Sequence, residues 1–254
     1  MENLSHKCGL IGREDAGLKV DVFYICAPGG GNTESYARRF VETWRKFPPA
    51  RECGLVVVIN SNGTPLGEAL VGLFSPVAKR FLVRRNDGGK DISGFQEAAR
   101  QTDADFMVCL GESCYFHRAG WLARWVEARN RFGPGMYGVF ASIIKRPHLN
   151  TTAFGVEPVI LKSYPMVADG RGRYDFEHGK WSFADWVRSK AGAVELVTFD
   201  GVWDEPDWRK PDNVLWRGDQ SNCLVHCRHT EEWSKADAVT KFRWEENADK
   251  NCWK

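Results

Sequence analysis

The apolar run Phe106–Leu110 stops abruptly at Gly111-Glu112-Ser113, and this change constrains the fold more than any other stretch of the chain. The run has no helical period, is too short for an ordinary helix and follows polar residues 101–105, so it reads as a buried strand. Similar runs precede it at 20–26, 54–60 and 81–84, with 54–60 rich in β-branched residues. Between them, 33–47 spaces Tyr36, Phe40, Val41 and Trp44 helically, and 92–100 sets Ile92, Phe95, Ala98 and Ala99 on one face. Strands alternating with helices predict an α/β fold with a mainly parallel sheet flanked by helices. Ligands of open sheets collect where the strands end. A carboxylate delivered there, Glu112, can hold a divalent cation, and a cation there can neutralise a diphosphate. The plain alternative is a strand followed by a polar turn.

A chain of 254 residues, 43% hydrophobic and 27% charged, suffices for one compact domain, expected over 1–254 with 1–18 and 245–254 peripheral. Lys and Arg number 35 against 33 Asp and Glu, a formal +2 that supplies no strong global field for nucleic acid or an anionic membrane. The first residues lack the charged and apolar regions of a signal peptide, and no window approaches 18 apolar residues, so a soluble, cytoplasmic protein without a transmembrane segment is expected. Eight scattered cysteines form no CxxC pair and read as free thiols. Cys223, His226, Cys227 and His229 have zinc-ligand residue types, but four ligands within seven residues make an awkward zinc site.

The loop Ala27-Pro28-Gly29 with Gly30 and Gly31 joins the first strand to a helix. It can lay backbone amides against phosphates or simply turn the chain, and it has the spacing of neither a P-loop nor a dinucleotide fingerprint. Asp91 sits at a helix start, as an N-cap or as a group that holds a donor. Residues 119–132 form an amphipathic helix stopped by Gly133-Pro134-Gly135, and 136–144, 151–157 and 193–199 are further strand candidates. Asp175 and Glu177 precede a helical segment at 181–190. Residues 200–213 make a loop punctuated by Trp203, Trp208 and prolines, a lid or a surface excursion pinned by its aromatics. Thr230 suits an N-cap ahead of Glu231 and Glu232.

The order of these motifs, with Asn86-Asp87-Gly88-Gly89-Lys90-Asp91, a strand ending in a small-acidic-Ser triplet, then Trp121-Leu122 and Tyr137-Gly138, resembles the GT-A glycosyltransferases. The similarity spans about residues 20–240 and is nearest those whose metal motif reads Asn-Asp-Ser. It implies a Rossmann-like sheet and transfer of a sugar from a nucleotide donor, most simply a UDP-sugar. Gly111-Glu112-Ser113 then stands where the superfamily's Asp-x-Asp motif lies, keeping one acidic residue. The resemblance implies Glu112 and His229 as ligands of Mn²⁺ or Mg²⁺, and Ala27, Pro28, Gly29, Asn60, Asn86, Asp91, Gly111 and Ser113 around the donor. It also implies Glu177, or else Asp175, as the base that takes the acceptor's proton, since a carboxylate within hydrogen-bond reach can accept it.

The arrangement also looks like the phage enzymes that glycosylate hydroxymethylated cytosine in DNA, which makes duplex DNA with a modified cytosine the expected acceptor and a glycan the alternative. A base acceptor needs a basic track and a pocket for an extruded base. The competing readings are a non-catalytic module that binds sugar or nucleic acid, and a nucleotidyltransferase, for which the usual cluster of carboxylates is not visible in the sequence.

Overall fold

A computed structural model describes residues 17–61, 63–85, 87–142, 146–210 and 214–251, without the side chains of 247–251. The first half is a strict alternation: β1 (Val20–Cys26), α1 (Thr33–Lys46), β2 (Gly54–Ser61), α2 (Glu68–Phe74), β3 (Arg80–Arg85), α3 (Lys90–Gln101) and β4 (Phe106–Leu110). Every residue of β1 and β4 is buried, which is why both read as continuous apolar runs. Next come α4 (Trp121–Phe132), β5 (Gly135–Gly138), β6 (Ala141–Ser142), β7 (His148–Leu149), β8 (Ala153–Val156), α5 (Pro158–Ser163), α6 (Gly170–His178) and α7 (Phe183–Ser189). The chain finishes with β9 (Ala193–Val197), β10 (Val202–Trp203), a 3-10 turn at Glu205–Arg209, α8 (Arg228–Lys235) and α9 (Ala238–Asn251).

Eight strands form one mixed, mainly parallel sheet in the order β10-β9-β5-β8-β4-β1-β2-β3. Strands β3, β2, β1 and β4 are mutually parallel, β8 runs against both β4 and β5, β9 follows β5, and β10 turns back on β9. The helices flank the sheet and split its core in two. Tyr24, Phe40, Phe74, Phe106, Phe116, Trp121 and Trp125 pack on one face, and Phe23, Phe95, Phe154, Phe176 and Phe183 on the other. Because the chain places β2 on one side of β1 and β4 on the other, the order reverses at β1, which makes the carboxyl ends of β1 and β4 the topological switch point of the sheet.

Several sequence expectations are corrected. The strand expected over 136–144 is two: β5 ends at Gly138, and Ala141–Ser142 leaves the main sheet to pair with His148–Leu149. Gly138 permits this crossing, because a side chain there would stand 3.0 Å from Leu149. Residues 174–179, read as chain ahead of a helix, instead lie in and just after helix α6, which is capped by the Asp169 carboxylate on the Gly172 amide at 2.7 Å. Thr230 is not the N-cap of α8. Cys227 holds that position, and the Thr230 hydroxyl receives the Cys227 amide at 2.8 Å. The 200–213 loop contains β10 and the 3-10 turn, and Trp208 is fully buried, so its aromatics anchor it.

Candidate active site

Glu112 sits half-buried on the turn that follows β4, at the switch point of the sheet. Its carboxylate Oε1 accepts the Ala27 amide from the loop after β1 at 3.0 Å, and its carbonyl accepts the Tyr24 hydroxyl at 2.6 Å. The acidic turn and the glycine loop are therefore one unit. Ala27 also accepts, through its carbonyl, the Thr33 hydroxyl from the start of α1 at 2.8 Å, while Pro28 is buried and Gly29 lies exposed at a φ of 91° that favours glycine. Gly111 donates its amide to the Thr152 carbonyl at 2.7 Å, an approach that leaves little room for a side chain. Ser113 Oγ accepts the Arg228 amide at 3.4 Å and so draws the start of α8, with His229, against the turn.

The loop before α3 is organised by Asp87. Its carboxylate takes Arg84 at 2.6 Å, the Ser93 hydroxyl at 2.5 Å and the Gly89 amide at 3.0 Å, and these donors outweigh burial to hold it below the ordinary aspartate range. Asn60 is buried, and its amide oxygen accepts Arg84 Nη1 at 2.5 Å. Asp91 is the second residue of α3, whose N-cap is Gly89, and it pairs with Arg173 of α6 at 2.7 Å. Asn86 lies outside the described residues.

Glu177 lies near the carboxyl end of α6, next to His178. Its Oε2 accepts the Thr151 hydroxyl at 2.6 Å and its Oε1 the Asn150 amide at 3.1 Å. His148 Nε2 stands 3.4 Å and His178 Nε2 3.7 Å from Oε1. Burial pushes this carboxyl up, but the His148 and Thr151 hydrogen bonds and the charge of the two imidazoles outweigh it, leaving Glu177 below the usual glutamate range. Asp175, on a more exposed face of α6, pairs with Arg171 at 3.0 Å. The 150–152 segment links the two carboxylates, since Thr152 receives the Gly111 amide while Thr151 and Asn150 hold Glu177.

His229 Nδ1 faces Glu232 at 3.4 Å, and burial, with Arg228, pushes the imidazole down despite the opposing pull of Glu232 and Glu177. Among the described residues, no group of three metal-ligating side chains includes Glu112 or His229. One carboxylate and one imidazole on adjoining segments fit a hard cation such as Mg²⁺ or Mn²⁺ only as part of its shell, with phosphate oxygens and water supplying the rest. Among the described residues the four Cys and His residues at 223–229 likewise form no such group, and Cys223 and Cys227 are buried and in no disulfide. A hollow of about 770 Å³ lies at the opposite end of the sheet, lined by Lys19, Asp21, Cys53, Gly54 and Lys79, away from both carboxylates.

Sequence reasoning missed His148, His178, Asn150 and Thr151. His148 and Glu177 are 29 positions apart, with no local spacing to mark them. The only available signal was the adjacent Glu177-His178 pair.

No protein-family model matches the sequence, and no curated protein does. Among solved structures the chain is distantly similar to S. aureus TarS 1–349 in complex with UDP, at 14% identity over 62% of this chain and 53% of that one, with a TM-score of 0.47. It is also similar to the mannosyltransferase PcManGT of Pyrobaculum calidifontis in complex with GDP-Man and Mn²⁺, at 13% identity over 61% of this chain and 50% of that one, TM-score 0.45. A third is a CMP:2-keto-3-deoxy-manno-octonic acid synthetase complexed with CTP, at 8% identity over 61% of this chain and 80% of that one, TM-score 0.46. The chain spans 29% of the longer TarS chain. No helix among the described residues is long and apolar enough to cross a membrane.

Proposed function

We propose that the protein is a glycosyltransferase that moves a sugar from a nucleotide-diphosphate donor, most simply a UDP-sugar, to a hydroxyl acceptor with inversion. The observation that carries this reading is the pairing of two differently built carboxylates, Glu112 and Glu177, across the 150–152 segment near the switch point of the sheet, where we place the donor crevice. The donor lies along that crevice, its diphosphate over the loop of Ala27, Pro28 and Gly29 and the Gly111-Glu112-Ser113 turn, with Asp91 toward the sugar. Asn86 is also assigned to the donor, and Asn60 supports the loop through Arg84. A divalent cation of the Mn²⁺ or Mg²⁺ type would draw on Glu112 and His229 and neutralise charge on the leaving diphosphate.

In the transfer step the acceptor oxygen bonds to the anomeric carbon as the bond from that carbon to the diphosphate breaks. Glu177 takes the acceptor's proton, and the nucleoside diphosphate leaves. Asp175 is the second choice of base. The acceptor we assign is a 5-hydroxymethylated cytosine in duplex DNA. Its support is the surface beside Glu177, where Tyr174 and Trp181 are 38% and 65% exposed and Arg171 and Lys180 face solvent. Aromatic rings stack on extruded bases, and cations track phosphates.

The test offers a panel of nucleotide sugars with Mn²⁺ to unmodified DNA, hydroxymethylated DNA and glycans. Donor-dependent labelling of hydroxymethylated DNA alone is expected. Labelling of glycans only would overturn the acceptor, and donor binding without turnover on any acceptor would make the chain a binding module.

A further inference from the structure

His148, Glu177 and His178 are the one group among the described residues in which three metal-ligating side chains each bring a ligand atom within 4.8 Å of the other two. We propose that these three side chains form a site for a borderline transition-metal ion of the Zn²⁺ type, distinct from any cation held at Glu112. The inference goes beyond the transferase reading and is independent of donor and acceptor.

Geometry carries it. Four ligands held tetrahedrally about zinc at 2.0–2.1 Å stand about 3.3 Å apart. The Glu177 Oε1 to His148 Nε2 and His178 Nε2 separations, 3.4 and 3.7 Å, are close to that spacing before any ion draws them in. The two imidazole planes are nearly perpendicular, at 83°, with ring centres 4.3 Å apart, so the rings converge edge to face rather than stack.

The supporting contacts are those of a metal site. His148 is 3% exposed, and its Nδ1 lies 2.8 Å from the Arg146 carbonyl, which can only accept. Nδ1 therefore donates to that carbonyl, which leaves Nε2 as the nitrogen that faces Glu177 Oε1 at 3.4 Å. A backbone carbonyl on the distal nitrogen and hydrogen bonds on the carboxylate are the usual means of orienting metal ligands, and Thr151 and Asn150 supply the latter here. Arg146 also ties the two ligand-bearing segments together, donating to the Gly179 carbonyl at 2.5 Å and to Asp185 at 2.8 Å.

Two imidazoles and one carboxylate select zinc, cobalt or a similar ion over magnesium or calcium, whose shells are oxygen. Three protein ligands leave a position for water or an oxygen ligand, the pattern of an open site. The side of the site toward Tyr174, whose ring lies 5.0 Å from that of His178, is the exposed one. Oxygen Oε1 of Glu177 has one task at a time, so an ion bound here removes it as the acceptor's base. Zinc at this site therefore inhibits transfer, if transfer is the activity.

The test uses chelator-treated full-length protein titrated with Co²⁺ and then displaced with Zn²⁺. Visible absorption and calorimetry report binding with no sugar or acceptor present. One equivalent is expected, with the absorption of a four- or five-coordinate cobalt ion. His148→Ala and His178→Gln should each weaken binding by more than about 100-fold, and Thr151→Val by roughly 10-fold. Glu112→Gln and His229→Gln should leave it unchanged. Absence of stoichiometric cobalt binding overturns the proposal, as does binding that survives both cluster variants or that is lost in Glu112→Gln. Should His148→Ala fail to fold, His178→Gln on the exposed side decides. Failure of the transferase reading leaves every one of these outcomes readable, because none involves turnover.

Discussion

Glu112 and Glu177 are carboxylates joined by a three-residue segment, yet their surroundings are opposite. Glu112 ends a buried strand, engages a backbone amide and a tyrosine hydroxyl, and has no partner for a three-ligand metal group among the described residues. Glu177 comes from a helix and is enclosed by two imidazoles, a hydroxyl and a side-chain amide. Under the proposed transferase reading the first would meet phosphate and a hard cation whose remaining ligands come from elsewhere. The second is arranged around one oxygen, suited to a proton or to a borderline metal ion. Neighbouring donors, not the carboxylate itself, decide which chemistry each can perform.

The comparison breaks most readily at Glu177. Glu177→Gln should lower turnover by about 10²- to 10⁴-fold while donor affinity, measured by calorimetry, stays near wild type. Glu112→Gln should lower turnover by roughly 10²- to 10³-fold and also weaken donor binding, since on the proposed reading it loses the carboxylate that holds the cation neutralising the diphosphate. Equal effects of both variants on donor affinity would mean that the two carboxylates share one role.

A subtler change tests how Glu177 is held. Thr151→Val removes the donor to a largely enclosed carboxylate and should cost about 1.5 to 3 kcal/mol of stability by urea denaturation, with Glu112 and the β1 loop unaffected. The smallest effect belongs to the sheet-edge side. His226, whose backbone pairs with Tyr115 beyond the Glu112 turn, stacks on His117 at 3.8 Å, and burial with that neighbour pushes its pKa down to about 4. A histidine depressed in the folded state contributes stability that is present above its unfolded value, about 6.5, and is lost as pH falls toward 4. Thermal melting of wild type minus His226→Asn should therefore show a decline over that window, with no matching change in cobalt binding at pH 7.

The parallel half of the molecule was legible because β1, β2 and β4 are buried on both faces, which writes them as apolar runs, while the edge strand β3 left only the short stretch 81–84. Glu112 was legible for the same reason, since a charged residue straight after such a run must lie at a sheet edge. Helix α6 was not, because Gly170-Arg171-Gly172 has poor helix propensity and the helix depends on the Asp169 cap and on Phe176 packing against Phe183 at 4.6 Å. The break between β5 and β6 was hidden too, since 136–141 is an apolar run and the close approach of Leu149 to Gly138 comes from a segment further along the chain; residues 143–144 lie outside the described residues.

By itself the sequence determined the α/β class, the leading order of strands and helices, and the place of Glu112. Those follow from local periodicity and burial. The tertiary structure alone decided that His148, on a two-residue strand, meets Glu177 and His178 from a helix far along the chain, and that Thr151, Asn150 and Arg146 hold them there. A site assembled from distant segments needs no repeat spacing, because the fold rather than the chain supplies the distance between its atoms.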